Sequence, residues 1–156
     1  MNKWYFIVSL GFLVTTISCE QSNTGSTTKN KTVDCKSSTL IFPKGNKVTG
    51  TVYQSILGKI GTQTSNVTFE PKSRTHWHLH PGGQTLLITD GVGYYQEEGK
   101  PKQVIRKGDV VNCDKNVKHW HGASIDQPMS HIAISIDHEK HPSQWFDSVT
   151  DEQYSE

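Results

Sequence analysis

His78 and His80 stand two apart in a segment that is too short for a helix and is closed by Pro81. Residues i and i+2 of a strand leave the same face, so the two imidazoles form a chelating pair for a metal ion. Gln84 follows across the tight turn Pro81-Gly82-Gly83 and adds an amide oxygen. A second His-x-His, His119 and His121 around Trp120, comes later in the chain, where a folded-back sheet can bring it opposite the first. Three imidazoles and one amide would then face a common centre. Every donor is neutral, so a divalent ion there keeps its full charge and is a stronger Lewis acid than the same ion on a carboxylate. Four protein ligands on an octahedral ion leave two open positions, which suits Mn, Fe, Co or Ni better than a closed structural zinc.

His131 opens a segment in which Ile132, Ile134 and Ile136 alternate with Ala133 and Ser135. On a strand His131 therefore shares its face with small residues, the composition of a cavity wall, and is a candidate general base. The other reading is a core or surface histidine. His121 shares the face of His119 and can orient a ligand or relay a proton. His76 stands farthest from the turn, and the barrel rim is its expected place. His138 and His141 have no same-face partner and read as surface residues. Trp77 and Trp120 separate paired histidines and should point away from them, into packing. Arg74 precedes the first pair on the same parity; it either binds a carboxylate substrate or closes a salt bridge with Asp109 or Glu70.

These side chains need strands to hold them, and from Val48 onward the chain reads as short strands divided by turn residues. The expected strands are 48–56, 65–71, 75–80, 85–89, 93–97, 103–106, 109–113, 119–124 and 130–137. Turn signals separate several of them, at Asp90-Gly91, Glu98-Gly99-Lys100-Pro101, Lys107-Gly108 and Asp126-Gln127-Pro128. Many short strands with regular punctuation predict a sandwich or closed barrel. Only the C-terminal stretch differs. Pro142 can open a helix, and Trp145, Phe146 and Val149 then fall on one face, a short helix packed outside the barrel or at a subunit contact.

The N-terminus is not available to that domain. Met1-Asn2-Lys3 carries one positive charge, and Trp4 to Ile17 is almost wholly apolar. The run is short for a membrane span and has the layout of an export signal over residues 1–18. Thr16-Ile17-Ser18-Cys19 resembles a bacterial lipobox, with Cys19 as the lipidated residue; a plain secretory signal cut near the same place is the alternative. Residues 19–46 are polar in their greater part and read as a flexible tether, since they cannot offset their ordering entropy by burial. Fifteen to twenty such residues reach roughly 20 to 26 Å. The folded domain is expected over 47–156, in an exported periplasmic or outer-membrane lipoprotein that touches membrane only through its anchor. Cys35 and Cys113 then remain in a compartment that permits disulfides, and their spacing leaves the pairing open. Sixteen basic and fifteen acidic residues give a formal charge of +1. A near-neutral chain lacks the clustered basic footprint of a nucleic-acid binder.

His78, His80, Gln84 and Gly91 stand at the spacing of the second half of the first cupin motif, and Gly108 and His119 at the spacing of the second motif. The chain therefore resembles the cupins, and the resemblance implies an all-β fold, a double-stranded β-helix or jelly-roll barrel, with a short C-terminal helix. Three positions depart from the pattern. Gln84 replaces the usual Glu, Lys72 or Ser73 stands where the opening Gly would be, and Asp114-Lys115-Asn116 replaces a Pro-x-Gly turn. Longer blocks, among them Val67-Thr68-Phe69-Glu70-Pro71, Gly83-Gln84-Thr85-Leu86, Lys118-His119-Trp120-His121-Gly122-Ala123 and Thr150-Asp151-Glu152-Gln153-Tyr154, are similar to a single-domain subgroup. That subgroup includes manganese-dependent hydroxynitrile lyases, and related cupins occur with carboxymuconolactone decarboxylase-like proteins.

The resemblance implies His78, His80, Gln84 and His119 as metal ligands, Mn as the favoured ion with Fe, Co, Ni or Zn as alternatives, and His131 as an active-site histidine. It also implies a homodimer through a β-edge, with Val48 to Ile56 as a candidate exchanged strand. Three functions follow as expectations: a metal-dependent lyase acting on a small oxygen-bearing substrate, an Fe(II)-dependent dioxygenase, and a non-enzymatic cupin that binds metal or a small ligand. The lyase is favoured, with hydroxynitrile cleavage as a side activity.

Overall fold

The computed structural model describes Leu40–Ile41 and residues 47–156. The export signal, Cys19, Cys35 and most of the tether lie outside the described residues. Twelve strands run in the order β1 (Leu40–Ile41), β2 (Val48–Thr49), β3 (Val52–Gly58), β4 (Thr62–Phe69), β5 (Arg74–Thr75), β6 (His78–Leu79), β7 (Gln84–Glu97), β8 (Gln103–Arg106), β9 (Val110–Cys113), β10 (His119–Ala123), β11 (Met129–Ile136) and β12 (Gln144–Trp145), followed by the helix α1 (Asp151–Ser155). The hydrogen-bonded path is β1-β3-β4-β11-β7-β10-β5-β2, every pairing antiparallel. This is the expected all-β jelly-roll barrel. β1 falls inside the stretch expected as tether: Leu40 and Ile41, the first two residues of the apolar run Leu40-Ile41-Phe42, stand opposite Gln54 and Tyr53.

β7 joins the two halves of the barrel. Its first half pairs with β11 and β9, and its second half with β10 and β8. Asp90-Gly91, expected as a turn, lies inside this single 14-residue strand. Gly91 takes φ 76°, and the ladder opposite slips between Ser130 and His131. The pair works as a bulge that re-aims the strand from one sheet to the other. Two other expected strands are each broken in two, 48–56 at Gly50-Thr51 and 75–80 at His76-Trp77.

The core follows the period-2 pattern. Along β11, Met129, His131, Ala133 and Ser135 are buried on one face, alternating with half-buried Ser130, Ile132 and Ile134. Val52, Val67, Phe69, Leu86, Ile88 and Met129 belong to the apolar cluster inside the barrel. Trp77 and Trp120 form a second cluster with Val149 and Tyr154, separate from the apolar cluster inside the barrel, which is the packing role expected of them. Cys113 is a buried free thiol of the first cluster.

The C-terminal stretch departs from the expectation. No helix opens at Pro142; Gln144–Trp145 is extended and pairs with β6. The helix starts only at Asp151, where Thr150 and Gln153 form a capping box. Thr150 accepts from the Gln153 backbone and Gln153 accepts from the Thr150 N–H, which satisfies two otherwise unpaired donors. Arg74 is also placed differently. It bonds the Val149 carbonyl at 2.9 Å and Asp151 at 2.6 Å, and it reaches neither Asp109 nor Glu70. The break at His76-Trp77 inverts the parity, so Arg74 leaves the histidine face and Thr75 takes its place on the cavity wall.

Candidate metal centre

β6 and β10 lie side by side, with His119 directly opposite His78. That register, and the His-x-His spacing that starts on β6 and ends just past it, bring His78, His80 and His119 together. One ligand nitrogen from each ring lies within 4.8 Å of the others. All three are buried. Gln84, at the start of β7, completes the set: its Oε1 is 3.3 Å from His119 Nε2. Its amide N–H donates to Ser135 Oγ at 3.2 Å, which fixes the oxygen toward the imidazoles.

The rings are oriented from behind. His78 Nδ1 lies 3.0 Å from the His76 carbonyl and His119 Nδ1 2.9 Å from the Val117 carbonyl. A carbonyl only accepts, so both rings carry their proton on Nδ1 and present a bare Nε2 to the centre, the form that ligates metal. His80 Nδ1 is 3.0 Å from Ser143 Oγ, and its Nε2 is buried without a hydrogen-bond partner. Burial, reinforced by the neighbouring imidazoles, holds His78 well below the ordinary histidine range and His80 at about 3. Burial lowers His119 as well. Three neutral imidazoles, two of them held with a bare Nε2, and an amide oxygen fit a divalent transition metal.

A cavity of about 220 Å³ opens beside these groups. Val52, Val67, Phe69 and Ala133 make its apolar wall, and among the lining residues none is acidic. Lys47 and Ile56, both exposed, mark its mouth. His131 and His121 sit on the wall with ring centroids 4.9 Å apart, and His121 is 5.3 Å from His78. Both are buried; neither ring nitrogen of His131 has a hydrogen-bond partner, nor has His121 Nδ1. Burial holds His131 at about 4, and burial with the adjacent rings keeps His121 well below its ordinary value. Both are thus neutral imidazoles near pH 7.

His76 is half-buried and lines no part of the cavity, its backbone N–H bonding the Lys47 carbonyl. Two residues read as surface or helix do line it. His138 stands on the wall with its Nδ1 buried, and Trp145 stacks on His78 at 4.6 Å with the rings 20° apart. Ser143 likewise carried no signal of its own. The capping-box pattern from Thr150 to Gln153 could have released 143–149 from the expected helix and made these contacts available.

The comparisons follow the same strands. Residues 65–135 match the family model described as the cupin domain. Over 90 residues the chain is 48% identical to an (R)-mandelonitrile lyase of Granulicella tundricola, which covers 58% of this chain and 69% of that protein. A cupin-like protein from Thermotoga maritima superposes with a TM-score of 0.67 at 49% identity, over 69% of this chain and 85% of its own. A second Thermotoga maritima protein, described as a predicted oxalate decarboxylase, shares the fold at 19% identity, with a TM-score of 0.59 over 65% of this chain and 93% of its own. With the jelly-roll path in place and nearly half of the aligned residues identical to the mandelonitrile lyase and to the first Thermotoga maritima protein, the chain belongs to the cupin family.

Proposed function

We propose that this protein is a metal-dependent lyase that breaks, and in reverse forms, the carbon–carbon bond next to a hydroxyl-bearing carbon, with hydroxynitriles as the first substrates to test. The observation that carries the proposal is His131, a fully buried imidazole with two unpartnered nitrogens on a cavity wall close to the three-histidine cluster. Burying a polar group without a partner costs about 1 to 3 kcal/mol, which a purely structural residue would not retain. The mandelonitrile lyase relative supports the choice of reaction.

His78, His80, His119 and the Gln84 oxygen would hold the cation, Mn first and Fe, Co, Ni or Zn as alternatives, and when bound it supplies Lewis acidity to a substrate oxygen. His131 accepts the hydroxyl proton on one ring nitrogen. The electron pair left on oxygen becomes the second bond of the carbonyl, and the bond to the nitrile carbon breaks, its pair leaving with cyanide. His131 then gives the proton to cyanide, so one hydroxynitrile yields one aldehyde and one hydrogen cyanide. His121 is placed to orient the His131 ring or relay that proton.

The cavity sets limits on the substrate. Roughly 150 Å³ suffices for a benzene ring, so about 220 Å³ takes an aromatic or short aliphatic group together with its polar end. Arg74 is turned away and Lys47 is the one cationic side chain on the wall, at the mouth, so a neutral substrate is favoured over a carboxylate. Residues 1–19 support placing the enzyme outside the cytoplasm on a lipid at Cys19, and a homodimer is the assembly proposed.

The test is mandelonitrile turnover by protein of known metal content. His131→Ala should abolish turnover with the metal retained; unchanged activity would remove His131 from the mechanism. A wild type carrying about one zinc per chain with no turnover would refute the lyase.

A further inference from the structure

Two of the three imidazoles at the centre are tied to groups that only accept a hydrogen bond, and the third is not. His78 and His119 face the carbonyls of His76 and Val117, which leaves each ring one proton arrangement. His80 faces the hydroxyl of Ser143, which both donates and accepts. When Ser143 accepts from Nδ1–H, the Nε2 lone pair is free for a metal. When Ser143 donates to Nδ1, the proton sits on Nε2 and blocks it. The two forms have the same charge and differ only in where one proton rests.

Ser143 is not an isolated contact. It immediately precedes β12, which is hydrogen-bonded to β6, with Gln144 opposite Leu79 and Trp145 opposite His78. The Trp145 indole lies nearly parallel to the His78 ring at 4.6 Å, and the Lys47 ammonium sits 5.3 Å from the centre of the same indole. Ser143 and Trp145, one residue apart, therefore bear on two of the three histidines. Nothing else among the described residues bonds His80 Nδ1.

We infer that Ser143–Trp145 is a latch on the metal centre, in which the Ser143 hydroxyl steadies the metal-accepting proton arrangement of His80 while permitting the other, and Trp145 holds the plane of His78. Ser143 is a positioning residue, acting through His80. The inference rests on the three-histidine cluster being the metal site, and it adds that metal affinity is set in part from a strand outside the ligand set. Partners of this kind typically govern metal affinity by about 10- to 100-fold.

The test compares wild type, Ser143→Ala and Ser143→Thr by calorimetric titration of the metal-free protein with Mn(II), and reads the histidine protons of metal-free protein by ¹⁵N NMR. Ser143→Ala should weaken Mn(II) binding about 10- to 100-fold, and Ser143→Thr, which keeps the hydroxyl, should stay within about threefold of wild type. In metal-free wild type His78 and His119 should carry the proton on Nδ1 alone, whereas His80 should show both forms. Equal affinity of Ser143→Ala and wild type overturns the latch and leaves the metal centre standing, as does a threonine variant as weak as alanine. Three histidines with identical proton arrangements also overturn it, and that measurement needs no variant to fold. A wild type that takes up no Mn(II) overturns the centre and the latch together.

Discussion

Replacing His131 by leucine should make the protein more resistant to acid while abolishing its activity. In the folded chain burial holds His131 at about 4, against 6.5 for an ordinary histidine. Between those values the unfolded chain binds more protons than the folded one. The stability contributed by the neutral ring is therefore complete above about 6.5 and is lost as the pH falls toward 4. One such proton is worth about 1.4 kcal/mol per pH unit, so this single titration removes about 2 kcal/mol between pH 6.5 and 5 and about 3 by pH 4. Leucine removes the titration. It also removes two buried nitrogens that have no partner, a burden of about 1 to 3 kcal/mol that wild type carries at any pH. His78, His80 and His121 are lowered too and remain in the variant, so the pH slope should fall by one proton and not to zero. Urea unfolding of metal-free protein at several pH values reads this directly. The variant should match or exceed wild type at pH 7 and lose about 2 kcal/mol less on going to pH 5. An unchanged slope, or a variant weaker than wild type at pH 7 by more than about 2 kcal/mol, would show that His131 is not held as a neutral, unpartnered ring.

Two further outcomes follow from the geometry. Gln84→Glu places a carboxylate where the amide oxygen faces His119, with Ser135 free to donate to it; metal titration should show at least about tenfold tighter Mn(II) binding while turnover falls, and equal or weaker uptake would take position 84 out of the ligand set. Gly93→Ala would push a methyl into Met129 Sδ and the Gly122 carbonyl, and the carbonyl cannot yield without disturbing the β7–β10 ladder. A loss of about 1 to 3 kcal/mol is expected, seen as a melting midpoint lower by several degrees, and an unchanged midpoint would show that the two strands can separate there.

The barrel and the three-histidine cluster were legible because both depend on the two-residue period of a strand. Along β11 the alternation of His131, Ala133 and Ser135 with isoleucines identified a cavity wall without any knowledge of what lay across it. The pairs His78/His80 and His119/His121 were legible for the same reason, and antiparallel pairing then made them neighbours. The period failed where the chain breaks step. Between Thr75 and His78 two residues lie outside any strand, the face is exchanged, and Arg74 goes to Val149 and Asp151 rather than to the side of the histidines. Gly91 failed in the opposite sense, since a Gly that permits a turn also permits a bulge, and only the partners of β7 decide between them.

The C-terminal stretch shows why a site's supports are harder to read than its ligands. Trp145, Phe146 and Val149 satisfy a helical spacing, yet each goes to a different environment. Trp145 stacks on His78, Phe146 stays exposed beneath the Lys118 ammonium at 4.9 Å, and Val149 joins Trp77 and Trp120. An extended segment can supply three such environments because its side chains diverge, whereas a short helix presents one apolar face to one surface. The gain is β12, whose hydrogen bonds to β6 fall on the strand that carries His78. Metal ligands announce themselves by residue type and spacing. A serine or a tryptophan that steadies them has neither signature, and its role exists only once the strand it rides on has found its partner.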